Sequence, residues 1–254
     1  MKRVSVMFLA SVLVVAVAVM FSFPAVSNAS KLDDAKKLFE QRADTEKGKK
    51  GIALLQEILK DDPKNEAAHE LLCRLSVFVG MDLGAKEETK MDSYEYLGMS
   101  SEAADAWLKV SPNSGPANFW KAYAAAASKD IKTALSYSEK AIKLDPNYMN
   151  GMPNLVMGYL KGLLPAFLGG DKVAAYKYLD KAMEAAPDNL MIHRIKAFLL
   201  INDMKAMSQK AMVHLQFVIE GEPSKGMAPE ARRDKQVADG LMKKYGEALK
   251  AMSK

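Results

Sequence analysis

The stretch Ile131-Lys-Thr-Ala-Leu-Ser-Tyr-Ser-Glu-Lys-Ala-Ile-Lys-Leu-Asp-Pro146 decides how the rest of the chain is read. Ala134, Ser138 and Ala141 stand twelve, eight and five residues before Pro146. Steps of four and three place them on one face of a helix. A small residue at the start of that face lets a second helix come close, and the proline ends the run because it disfavours helical geometry in the residue before it. The same register recurs before four other prolines. Gly51, Ser100, Ala175 and Ala211 stand twelve residues before Pro63, Pro112, Pro187 and Pro223. Leu55, Ala104, Leu179 and Leu215 follow at eight, and Ile58, Trp107, Ala182 and Val218 at five.

Ten residues after Pro63, Pro112 and Pro187 come Cys73, Ala122 and Ala197, each small enough for close pairing of a preceding helix with the proline-terminated one. Pro112 to Pro146 is 34 residues and Pro187 to Pro223 is 36. This pattern resembles the tetratricopeptide repeat, whose period is about 34. The resemblance implies an all-α fold of stacked antiparallel helix pairs in a right-handed solenoid. Pairs are expected at about 30–63, 65–112, 116–146, 147–187 and 188–223, with a polar, lysine-rich helix at 229–252 capping the open stack. Two intervals run long. One holds an extra charged segment near Met81 to Gly98, and the other holds extra turns around Gly151, Pro153, Pro165, Gly169 and Gly170. There Gly169-Gly170 permits a turn and Asp171 can cap the following helix.

Lys2 and Arg3 precede an apolar run from Val4 to Phe23, and Ser27-Asn28-Ala29 supplies the small residues of a cleavage site. Residues 1–29 therefore read as a secretory signal, 30–254 as a single helical-repeat domain, and the product as periplasmic or secreted; an uncleaved membrane anchor is the alternative. No cysteine follows the site, so the chain does not read as a lipoprotein. The lone Cys73 lies on an apolar helical stretch and reads as a small buried hydrophobe. The net charge of +5 falls to +3 without Lys2 and Arg3, and the remaining lysines alternate with acids, which excludes a nucleic-acid track.

No triad, phosphate loop or metal-ligand spacing is present, and His69, His193 and His214 each stand alone in their helices, so neither a catalytic site, a metal site nor a cofactor is expected. Seventeen methionines are more informative. Met149, Met152 and Met157 cluster at the insertion, while Met204, Met207 and Met212 recur at helical spacing. Flexible thioethers pack cores, make adaptable apolar surfaces, and also suit copper. First helices of such repeats line the concave face. Trp120, Tyr123, Met152, Met157, Tyr159 and Phe167 are accordingly the candidate residues for a partner or ligand.

The segment Ser111-Pro112-Asn113-Ser114-Gly115-Pro116-Ala117-Asn118-Phe119-Trp120-Lys121-Ala122-Tyr123, with Asn150-Gly151-Met152-Pro153, Gly158-Tyr159, Pro165 and Leu168-Gly169-Gly170-Asp171, resembles the T-component family of tripartite TRAP transporters. That resemblance implies a non-enzymatic extracytoplasmic subunit that associates with the transporter's substrate-binding protein, as a monomer or a homo-oligomer. Residue spacing leaves two alternatives open: an envelope-assembly adaptor for peptide segments, and a carrier of an apolar small molecule.

Overall fold

The computed structural model describes residues 27–203 and 209–251. Eleven helices occupy the described residues: α1 (Asn28–Glu40), α2 (Thr45–Asp61), α3 (Glu66–Leu83), α4 (Lys90–Val110), α5 (Gly115–Ala127), α6 (Ile131–Leu144), α7 (Met152–Leu163), α8 (Lys172–Ala185), α9 (Leu190–Asn202), α10 (Gln209–Glu220) and α11 (Ala228–Ala251). Each odd helix packs chiefly on the next even one, giving five antiparallel pairs, and each even helix packs on the first helix of the following pair. The odd helices also touch one another in sequence, from α1 through α11, and so form an inner row.

The register read from the prolines is the packing register. Every small residue twelve before a proline is buried, and so is every residue at eight and at five before it. Cys73, Ala122 and Ala197 are buried as well. The close approach is visible at α3 and α4, where the Ser100 hydroxyl donates to the Cys73 carbonyl at 3.1 Å. Burial pushes the Cys73 thiol far above its ordinary range, so it is an inert packing group. The turns follow from local chemistry too. Asp44, Asn65, Ser114, Asp130, Asp171 and Asn189 each accept a backbone N–H at the start of a helix, satisfying a donor that the helix itself cannot.

Two features differ from the expectation. The charged segment before Gly98 is not a separate element: α3 and α4 are simply lengthened, and a short 3-10 turn, Glu87–Thr89, joins them. Thr89 Oγ1 donates to the Leu83 carbonyl at 2.7 Å and closes the end of α3. The second difference concerns α11. It packs on α10 and α9 as an end cap should, but it also takes the inner position of a sixth pair and reaches the first one. Arg42, in the turn between α1 and α2, donates to both carboxylate oxygens of Glu230 at 2.9 and 2.6 Å and to the Gly226 carbonyl. Its guanidinium lies 4.1 Å from the Phe39 ring centroid, and the side chain is 1% exposed. The stack is thus tied end to end instead of being left open.

Among the described residues no helix is long and apolar enough to cross a membrane. Most of the signal-like segment lies outside the described residues, as do Met204, Met207 and Met252.

Candidate binding chamber

Because α11 lies along the inner row, the concave face is enclosed by protein on two sides. Three adjoining cavities result. An outer pocket of about 460 Å³ opens between the turns before α9 and α11, bordered by Asn150, Pro187, Asp188, Ser224 and Lys225. Behind it is a chamber of about 200 Å³ whose walls include Phe78, Met81, Trp120, Tyr123 and Val237. A further lobe of about 450 Å³ continues between α5, α7 and α9, lined by Leu155, Val156, Tyr159, Leu160 and Ile195. Met81, Tyr123, Met191 and Arg194 border both inner spaces.

The candidate residues divide accordingly. Trp120, Tyr123 and Met152 line the chamber and Tyr159 lines the lobe. Met157, one helical step out of phase, is fully buried in the packing of α7. Phe167 is 85% exposed on the 3-10 turn Ala166–Leu168 and lines none of the three spaces. The insertion that carries it is well tied: Lys161 Nζ donates to the Gly169 carbonyl at 3.0 Å, and Asp171 Oδ1 accepts the Ala174 N–H at 2.9 Å.

Polar groups around the chamber are paired across elements. The Trp120 indole N–H donates to the Tyr148 hydroxyl at 2.9 Å, which donates in turn to Glu70 at 2.7 Å. Burial, then the Glu70 charge, pushes the Tyr148 phenol far above its ordinary range. Arg194 Nε donates to Asp234 at 2.6 Å. Burial outweighs that partner and leaves the Asp234 carboxyl above the usual carboxylate range. The Arg233 guanidinium sits 4.9 Å from the Phe78 ring centroid and 3.6 Å from Asp82. The Tyr123 hydroxyl meets the Met81 thioether at 3.7 Å, a weak partner, and burial raises its phenol as well. The walls therefore offer thioether, aromatic and aliphatic surface, with the cations already neutralised by α11. Such a lining suits an uncharged apolar ligand.

Sequence reasoning overlooked Arg42, Tyr148, Met191, Arg194, Met227, Glu230 and Asp234. Their juxtaposition spans up to 188 residues of chain, and no local spacing announces it. One overlooked signal was readable: a histidine six residues after a proline. His69 Nε2 donates to the Pro63 carbonyl at 2.9 Å and His193 Nε2 to the Pro187 carbonyl at 2.8 Å, tying the turn to the next helix. The fold also pairs two histidines that stand apart in sequence. His214 Nδ1 and His193 Nδ1 are 2.9 Å apart, and since His193 donates through Nε2, its Nδ1 accepts from His214. Among the described residues no three His, Cys, Asp or Glu side chains converge as a metal set.

The inserted turn, the aromatic wall and the helix pairs around the chamber lie mostly in one segment of the chain. Residues 117–224 match the TRAP transporter T-component family. The T-component match runs from α5 to the turn before α11 and contains Trp120, Tyr123, Met152, Tyr159 and Met191. No curated protein matches the chain. Among solved structures, a thermophilic TPR protein of Thermus thermophilus is similar at a TM-score of 0.59 and 17% identity, covering 85% of this chain and 100% of that one. The Cut9–Hcn1 hetero-tetramer of the APC/C gives 0.45 at 19% identity, covering 89% of this chain and 46% of that one. The first likeness shows the tetratricopeptide-like fold; the T-component match adds a family resemblance beyond it.

Proposed function

We propose that this chain is a non-enzymatic, extracytoplasmic interaction subunit of a TRAP-type solute uptake system, acting through the system's substrate-binding protein. The observation that carries this reading is the T-component match over residues 117–224. The tetratricopeptide-like fold supports it, since stacked helix pairs are a common protein-docking scaffold. On this reading residues 1–29 are removed on export, and Phe167, exposed on a tied turn of the insertion, contacts a protein partner. Trp120, Tyr123, Met152 and Tyr159 serve the interior. Affinity capture of the tagged protein from its native envelope, with crosslinking, is expected to return a solute-binding protein or a transporter subunit. Repeated capture of neither would sink the proposal.

A second reading, that the chain also carries an apolar small molecule, is favoured by the enclosed chamber and its thioether and aromatic walls. Organic extraction of the purified protein followed by mass spectrometry tests it, and extracts indistinguishable from buffer would count against it. The peptide-adaptor alternative is less favoured, because an extended peptide would have to displace α11 from the inner row.

A further inference from the structure

A carrier needs a way in, and the inference that follows rests on the carrier reading. Met149, Met152, Met191 and Met227 each border both the outer pocket and the inner chamber. Side chains that border two adjoining spaces form the partition between them. The four come from different segments: the turn before α7, the first residue of α7, the first turn of α9, and the turn before α11. The backbone is unusual at this place. Met149 and Asn150 have φ of 47° and 58° and precede Gly151 at 83°, a run of left-handed residues that side chains rarely permit. That turn sets Met149 beside Met152 at the partition instead of letting α7 begin a turn earlier. Unbranched thioether side chains can swing aside without moving backbone, which a fixed wall would not need.

The remaining wall belongs to α11. Glu230 and Asp234 border the same two spaces, and Met227 immediately precedes the helix. The first turn of α11 is tied to the opposite end of the stack by the Arg42–Glu230 bonds and by the Arg42 bond to Gly226. Ala231, Ala238 and Leu249 keep α11 in one core with α9 and α10, so cutting the Arg42 clamp loosens its reach to the first pair without detaching it. We infer that Met149, Met152, Met191 and Met227 form the portal of the inner chamber, and that the first two turns of α11, latched to the first repeat by Arg42, are its movable wall. What passes is an uncharged, apolar and flexible molecule, since the portal offers sulfur and carbon while its carboxylates are already paired with Arg42 and Arg194.

The test is stopped-flow binding of the fluorescent apolar probe N-phenyl-1-naphthylamine to the full chain and to variants. Arg42→Ala and Glu230→Gln open the latch and are expected to raise association and dissociation rates together, about tenfold, with little change in Kd. Met191→Ile and Met227→Ile keep the apolar volume but stiffen the ring, and are expected to slow both rates. Probe binding that appears only when the clamp is cut also supports the portal. Folded variants that bind at wild-type rates overturn it, as does a change confined to dissociation, which would mark these methionines as mere lining. If the clamp variants fail to fold, the methionine pair decides alone. Failure of every variant and the wild type to bind the probe sinks the carrier reading and the portal with it, whereas binding at unchanged rates sinks only the portal.

Discussion

Two glycine-to-alanine substitutions should move stability in opposite directions, and the structure gives the reason. Gly158 lies in α7 against α8. A methyl group there would sit 2.9 Å from Leu179 Cγ and 3.1 Å from the Ala175 carbonyl oxygen, both on the α8 face that carries the repeat register. The oxygen is backbone and can retreat only if the helix moves. Gly98 lies inside α4, where a methyl group would meet nothing within 4 Å. Alanine is favoured over glycine within a helix by about 1 kcal/mol, a gain open to both sites. At Gly158 overpacking of about 1–3 kcal/mol opposes it and gives a net loss approaching ~2 kcal/mol. The two variants should therefore differ by roughly 2 kcal/mol, or about 4–8 °C in Tm for a domain of this size. Thermal and urea unfolding followed by circular dichroism measure this directly. A Gly158→Ala protein as stable as the wild type, or more so, would refute the claim that backbone proximity at the register positions holds the helix pairs together.

Other perturbations test the polar framework. Tyr148→Phe removes the hydroxyl between Trp120 and Glu70 and leaves a buried indole N–H without its acceptor, so a loss of ~1–3 kcal/mol is expected in urea unfolding, and an unchanged midpoint would contradict the relay. Burial lowers the His193 imidazole, and burial followed by the His193 charge lowers His214 to about 4. The pair also feels Lys196, Asp180 and Asp188. Both rings are held neutral in the fold, so their stabilisation is complete above the unfolded value near 6.5 and is lost as pH falls from there towards about 4. Allowing for the partial exposure of His214, the loss amounts to about 1 kcal/mol, and His214→Asn should flatten that part of the stability profile. A wild-type profile equally flat between pH 7 and 4.5 would rule out this coupling.

The helix pairs were legible because they are written in local spacing. Gly51, Ser100, Ala134, Ala175 and Ala211 mark where a second helix must come close, and a proline twelve residues later marks where each helix stops. Both requirements act within a few turns of chain, so one sequence displays them. Asp171 as a cap and Gly169 in a left-handed turn were legible for the same reason. The candidate site was only half legible. Trp120, Tyr123, Met152 and Tyr159 could be placed on the inner row from the repeat pattern, but helical phase alone did not separate them from Met157, which turns into the core, or from Phe167, which stands in solvent.

By itself, then, the sequence determined an all-helical stack of five pairs and a final polar helix, because helix periodicity, capping and the proline stops are short-range effects. Only the tertiary structure decided that the final helix closes the stack. The bonds that do this join Arg42 to Glu230 and Gly226, and Arg194 to Asp234, across stretches of chain over which no periodic signal survives. That closure turns an open concave face into an enclosed chamber, and it brings methionines from four separate segments to a single passage.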